Sequence, residues 1–573
     1  MSRPGDPTSD TTARWRRRIA VAQGQEPADL VIAGGQVVDV FTEVLFPADI
    51  AIADGVIAGV GRYDKARQHI DAAGAVVAPS FIDAHVHLES SLLWLPEYAR
   101  VVLPHGTGAV VTDPHEMANV CGLAGVEAMR RAAHELPLRV AFTAPSCVPA
   151  SEHESPGATF GAVEIETMLG WPETVALGEL MNFPGLLAGD DDIAAKLAVA
   201  AGRRRDGHAP GLRGAALQAY AGAGIGSDHE STQLDEAREK LRAGMMLMLR
   251  EGSSEKNLRD LLPLVTDATY PRCCFASDDR DPHDLLHKGH VDDILRTAIA
   301  AGLDPLRAIR MATWNAADYW GLAGLGAVAP GYDANLVLLN DLQRVQVRAT
   351  LFRGQVVAQD GACIAALTDA PPPDALKATV HVAPLRHSSL RLAATARTEA
   401  VEVIPGQIVT RHIAVAPRVS GDEALADPQR DLLKLVCVER HHATGRVGVG
   451  YVHGFGLRRG ALASSIAHDA HNIVAVGAED GDILTAIAAV AAAQGGLAAV
   501  EGGELLAFLA LPFAGILSDR PAREVAEAYG RLEATARELG SPLASPFGQL
   551  AFLALSVIPE ARVTDRGFLH VGP

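Results

Sequence analysis

The sequence predicts an α/β protein built on a (β/α)8 barrel, with a small flanking β-sandwich-like domain and a separate C-terminal α/β domain. Short β-rich runs with turns stand on either side of a long middle segment. That segment alternates apolar strand-like pieces with Ala-rich helical stretches, and a run of prolines separates it from a further mixed region. A chain of 573 residues is also longer than a single hydrophobic core usually organises.

The first β-rich stretch runs from Asp29 to about Gly61, where Gly34-Gly35 and Asp54-Gly55 mark hairpin turns. A second such stretch returns at "GYDANLVLLN" (Gly331 to Asn340) and "VRATLFRGQVVAQDG" (Val347 to Gly361). The two are expected to pair into one small unit, assigned to residues 1–77 and 324–370. Between them, residues 78–323 read as repeated βα units. The pieces "GAVVTDPHE", "RVAFTAPSC", "TVALGELMN", "GHAPGL", "GIGSDHE", "MLMLREGS" and "CFASDDR" each put polar residues where a strand would end. In such barrels the carboxyl ends of the strands line the active site. "LTDAPPPDALKA" (Leu367 to Ala378) is the linker. Residues 371–573 comprise the rest of that linker and the C-terminal domain, with strand-like "VGVGYVHGFG" and "HNIVAVGA" and a helix near Ile483 to Gln494.

Composition narrows the partners. Fifty Lys and Arg against 69 Asp and Glu give a formal charge of -19, which repels phosphate backbones and anionic membranes. Arg14, Arg16, Arg17 and Arg18 near the start are not followed by the apolar stretch of a signal peptide, and no run of 18 apolar residues exists. The expectation is a cytoplasmic protein acting on a small molecule, with neither nucleic acid nor membrane as partner, and a homodimer by the general prevalence of symmetric oligomers. Cys121, Cys147, Cys273, Cys274, Cys363 and Cys437 show no CxxC spacing, so neither a disulfide framework nor a zinc ribbon is expected.

The chemistry concentrates in "FIDAHVHLESS" (Phe81 to Ser91). His85 and His87 are one residue apart on a short strand, so alternation turns both imidazoles to one face. Glu179, His208, His229 and Asp278 stand at later predicted strand ends. Four histidines and two carboxylates suit two borderline cations such as Zn, Fe or Mn, bridged by one carboxylate. After the next strand, "TDPHEMAN" offers Asp113, His115 and Glu116 for holding substrate or moving protons, with helix capping the competing role for Glu116. His468, Asp469 and His471 in "IAHDAHN" suit either a further metal or, as the favoured reading, a hydrogen-bonded turn.

These phrases together resemble the bacterial adenine deaminase family of the metal-dependent amidohydrolase superfamily. "APSFIDAHVHLESS", "TDPHEMANV", "APSCVPA", "LGELMNFPG", "DGHAPGL", "SDHES", "REGSSEKNL" and "SDDRDPHDLLHKGH" stand in that family's order, and "GFGLRRGALASSIAHDAHNIVAVG" and "LPFAGILSD" extend the similarity past the linker. The resemblance implies His85, His87 and Asp278 on one cation, His208 and His229 on the other, and Glu179 between them. The expected ion is Mn2+, with Fe2+ or Zn2+ as alternatives. It further implies hydrolytic deamination of adenine to hypoxanthine in purine salvage. Asp278 would shuttle a proton, Glu116 or His115 would serve the ring, and Glu89, Ser90, Ser91, Asn182 and Asp113 would contact the purine. A hydrolase of another aminopurine or of a cyclic amide, and more distantly a non-catalytic purine-binding protein, are the rival readings. The sequence departs from the family pattern at "SEHESPGA" (Ser151 to Ala158) and at Arg440-His441-His442, which places a difference at the expected pocket rim.

Overall fold

A computed structural model describes residues 7–368 and 371–572. The expected cut between residues 370 and 371 therefore falls beside positions outside the described residues. A helix, Pro7–Ala22, precedes the first strands and carries the N-terminal arginines. Strands β1 (Ala28–Asp39), β2 (Val44–Ala53), β3 (Val56–Gly61), β4 (Ala66–Asp71) and β5 (Val76–Pro79) follow.

Eight short strands come next: β6 (Phe81–Val86), β7 (Thr107–Thr112), β8 (Arg139–Ala144), β9 (Thr174–Leu180), β10 (Arg204–Gly207), β11 (Ser227–Asp228), β12 (Met246–Arg250) and β13 (Cys273–Ala276). β14 (Leu336–Asp341), β15 (Gln346–Phe352), β16 (Gln355–Gln359) and β17 (Ala362–Cys363) close this half of the chain.

The small domain is a single hydrogen-bonded sheet in the order β17-β16-β15-β14-β5-β1-β2-β3, with β4 beside β1. Its two halves meet where β5 pairs antiparallel with β14, Val77 opposite Leu338. β5 crosses the boundary expected at residue 77, so the small sheet extends to Pro79 before the chain enters β6.

β6 to β10 form one parallel sheet and β11 to β13 another. Gly226 N donates to Arg205 O at 3.0 Å beside β10, while Asp278 N donates to His85 O at 3.0 Å and His87 N to Asp278 O at 3.1 Å. These bonds join the two sheets into a closed circle of eight parallel strands. Leu247, Leu249 and Phe275 pack with Val291, Ile294 and Leu295 of the following helix, whereas the alternating Met248, Cys274 and Ala276 pack with Ile82, Ala84 and Val111. Strands buried on both faces need apolar residues at every position, which is why they read as continuous runs.

In the C-terminal domain an eight-stranded sheet includes Leu432–Val438, Val447–His453, Ala461–Ser464, Ile473–Gly477 and Gly496–Glu501. The helix Asp480–Ala492 lies against it. Its loops reach the carboxyl ends of β6 to β13: Trp94 N donates to Ser518 O at 3.0 Å, and Ser155 N to Asp565 Oδ1 at 3.0 Å.

Candidate active site

His85 and His87 face the centre of the strand circle because their other nitrogens are already engaged. Asp206, fully buried at the end of β10, accepts from His85 Nδ1 at 2.8 Å. The Asp113 carbonyl accepts from His87 Nδ1 at 3.0 Å. Each proton is thereby fixed on Nδ1 and each Nε2 lone pair is turned inward. Those two Nε2 atoms are 3.2 Å apart.

Glu179 and Asp278 complete the centre. Glu179 Oε1 is 3.2 Å from His87 Nε2, and its Oε2 is 2.7 Å from His208 Nδ1 and 3.1 Å from His229 Nε2. Asp278 Oδ1 is 3.2 Å from His87 Nε2 and 3.5 Å from His85 Nε2. Asp278 holds a positive φ of 56°, a left-handed conformation uncommon for a residue with a Cβ. The bonds to His85 O and from His87 N keep it there.

All six side chains gather at one point, each almost fully buried. Burial opposes their charges, yet the imidazoles hold Glu179 and Asp278 well below the usual carboxylate range.

The donor set fits divalent cations. His208 Nε2 and both nitrogens of His229 are buried without hydrogen-bond partners, a costly state for polar atoms unless something else satisfies them. Neutral imidazoles and carboxylates are the ligands that Mn, Fe and Zn share.

Three contributors lie beyond the residues read from sequence. Asp206 is one. Glu230, beside His229, sits 3.8 Å from His208 Nδ1 and pairs with Arg250, which also donates to Asp278 Oδ2 at 3.0 Å. The signals were present in "DGHAPG", "SDHES" and "MLMLREGS", but all pointed to the histidines or to a strand end.

His115 Nδ1 lies 3.3 Å from Glu179 Oε1, and its Nε2 lies 3.5 Å from Asp469 Oδ1. Glu116 Oε1 lies 2.9 Å from His468 Nδ1. Burial opposes ionisation of Glu116, but His468 holds it below the usual carboxylate range, while burial and the neighbouring Glu116 push Glu89 up to about 7. The segment 468–471 is thus a turn, with His471 N donating to Ala467 O at 2.7 Å, and it also reaches the site. His471 Nδ1 accepts from Ala467 N at 3.3 Å, so its own proton is on Nε2 and no lone pair faces Glu116. A metal held by Glu116, His468 and His471 is disfavoured by that tautomer.

Of the five residues expected to touch a purine, only Ser90 lines the cavity beside the site. Glu89 Oε1 accepts from Met117 N, Ser91 Oγ donates to Leu88 O, and Asn182 Oδ1 accepts from Gly185 N as a helix cap. Asp113 Oδ2 accepts from Glu179 N at 2.8 Å. A Cβ at Gly178 would approach that oxygen to 2.2 Å, so the glycine before Glu179 lets Asp113 hold it.

The two departures brace loops. Glu152 and His153 are exposed, while Glu154 is buried and accepts from Ala150 N at 3.0 Å. Arg440 donates to Ala514 O at 3.0 Å, His441 pairs with Ala470 O at 2.7 Å, and His442 with Pro156 O at 3.0 Å.

Parallel strands closed on themselves, with imidazoles and carboxylates collected at their carboxyl ends, are the layout of a metal-dependent amidohydrolase. The amidohydrolase family model matches residues 76–357, and the model of the adenine deaminase C-terminal domain matches residues 407–572. The chain is 45% identical over 554 residues to the adenine deaminase of Dehalococcoides mccartyi, covering 96% of this chain and 97% of that one. It is 44% identical over 556 residues to that of Methanothrix thermoacetophila, with the same coverage of each. A solved triazine hydrolase variant, 16% identical, aligns with a TM-score of 0.44 over 58% of this chain and 96% of that one. The chain belongs to the adenine deaminase family.

Proposed function

We propose that this protein hydrolyses adenine to hypoxanthine and ammonia at the carboxyl ends of β6 to β13, read as a (β/α)8 barrel. The observation that carries the reading is the convergence of His85, His87, Glu179, His208, His229 and Asp278, with two imidazoles already fixed in a metal-binding tautomer. His85, His87 and Asp278 would hold one divalent cation and His208 and His229 a second, with Glu179 shared. Bound there, two such ions would supply acidification of a water and charge compensation for attack at the carbon bearing the amino group.

The protein's own groups handle the protons. Asp278, oriented by Arg250 at 3.0 Å, takes one from the attacking water and returns it to the departing amino group, because an amide anion is too basic to leave unaided. His115 and Glu116 form the polar wall that serves the ring, each paired with a C-terminal-domain residue, Asp469 and His468. Mn2+ as the resident ion, a homodimeric assembly and a cytoplasmic setting belong to the same proposal. Among the described residues no helix is long and apolar enough to cross a membrane.

The test is ammonia release from adenine by protein stripped of metal and reloaded separately with Mn2+, Fe2+ and Zn2+, alongside His85→Ala. Release restored by metal and absent in the variant is expected. Reloaded protein that ignores adenine but hydrolyses a cyclic amide would overturn the substrate and leave the metal site standing.

A further inference from the structure

The cavity beside the metal-ligand cluster has walls from two domains. Ser90, Leu92 and Asp279 come from loops at the carboxyl ends of the barrel strands, and Ile466, His468 and Phe547 from the C-terminal domain. Leu92, Ile466 and Phe547 offer apolar faces beside the polar Ser90, Asp279 and His468, and apolar walls with placed polar groups suit a flat heteroaromatic ligand. Ser90 Oγ donates to Asp279 Oδ1 and lies 3.4 Å from Glu116 Oε1, so the cavity adjoins the reacting centre.

His468 is the most tightly fixed of its polar walls. Its backbone N donates to Ala551 O at 3.0 Å, and its Nδ1 lies 2.9 Å from Glu116 Oε1. Its ring stacks on Phe552 with centroids 4.6 Å apart and planes 14° from parallel. One nitrogen and one face are therefore engaged, and the edge carrying Nε2 is what His468 has left to offer the cavity it lines.

We infer that His468 is a purine-contacting residue supplied by the C-terminal domain, its Nε2–H donating to an acceptor nitrogen of the bound purine ring while Glu116 holds its Nδ1. This rests on the proposed purine chemistry of the site. Burial opposes a charge on His468, but Glu116 and Asp279 raise it to about 9, which leaves both nitrogens protonated at neutral pH. A hydrogen bond from a charged donor discriminates strongly against a ligand that lacks the acceptor.

The experiment compares adenine with analogues in which a single acceptor ring nitrogen is replaced by CH. Each is measured as a competitive ligand of the metal-loaded wild type, of His468→Ala and of His468→Gln. In the wild type one analogue should bind at least about tenfold more weakly than adenine. That gap should shrink to about twofold in His468→Ala, with the other gaps unchanged. A variant that only disturbs the fold would weaken every ligand alike and leave all the gaps intact. Unchanged gaps in both variants, or no analogue singled out by the wild type, would overturn the assignment. Wild type that neither binds nor deaminates adenine would instead overturn the purine reading itself, and this contact with it.

Discussion

Replacing Asp206 by Asn tests how much of the metal site rests on one hidden carboxylate. Asp206 Oδ2 accepts from His85 Nδ1 at 2.8 Å, and Oδ1 accepts from Gly207 N at 2.9 Å and Ser227 Oγ at 2.5 Å. Every partner donates, so the site wants a group that only accepts. An amide cannot comply in either orientation. With its NH2 towards Gly207 it opposes a backbone N–H, and the Ser227 hydroxyl can turn away but the backbone cannot. With its NH2 towards His85 it drives the imidazole proton onto Nε2, the atom that faces His87, Glu179 and Asp278. Either way one buried contact fails, at about 1–3 kcal/mol, which at about 1.4 kcal/mol per decade is roughly 5- to 150-fold.

Loss of such a supporting partner typically weakens metal binding or activity by about 10- to 100-fold, and the two ranges agree. The assay dialyses wild type and Asp206→Asn against graded free Mn2+ or Zn2+, then reads metal per chain and ammonia release. Thermal unfolding of the metal-free proteins controls for damage to the fold. Wild-type retention and turnover in Asp206→Asn would refute the tautomer argument and reduce Asp206 to a packing group.

Further outcomes are expected elsewhere in the molecule. Glu116→Gln should lower kcat for adenine by about 100-fold or more, and full activity would remove Glu116 from the proton path. Lys240, buried 2.9 Å from Asp228 and 2.8 Å from Glu236, should when changed to Met strand two buried carboxylates and cost about 3–5 kcal/mol in urea unfolding; an unchanged midpoint would contradict this. Burial opposes ionisation of Asp292, yet His105 and Arg296 hold it down to about 2. Because this folded value is depressed, its contribution is complete above the unfolded value near about 3.9 and is lost as pH falls towards the folded one. Wild type should lose about 1 kcal/mol more than Asp292→Asn between pH ~5 and pH ~3, and parallel pH profiles would show that the pair contributes nothing.

The eight parallel strands β6 to β13 and, taken together, the six clustered side chains were legible from local pattern. A β strand sends alternate residues to one face, so His85 and His87 declare a shared direction, and a polar residue closing an apolar run marks a strand end. The partners of those groups were not legible. Asp206 meets His85 across 121 positions of sequence, and nothing within "RRDGHAP" tells an acceptor for a distant imidazole from an ordinary loop aspartate. His468 meets Glu116 across two domains, so its spacing carries no trace of the contact. Asn182 is the instructive opposite case. An Asn directly before Phe183-Pro184 is a helix-cap signal, and its Oδ1 does accept from Gly185 N, yet proximity to Glu179 suggested a substrate contact.

The seam between β5 and β14 bears on how the chain is made. Val76–Pro79 finds β1 on one side early, but its other neighbour is Leu336–Leu339, about 260 residues further along. At ribosomal rates of about 5–20 residues per second, that gap keeps one edge of a nascent sheet open for roughly 13–50 s. An unpaired edge is an invitation to join another chain. The catalytic module must therefore be synthesised while the sheet that will enclose its ends is still half built, and newly made chains are most open to holding chaperones, and to one another, during that interval.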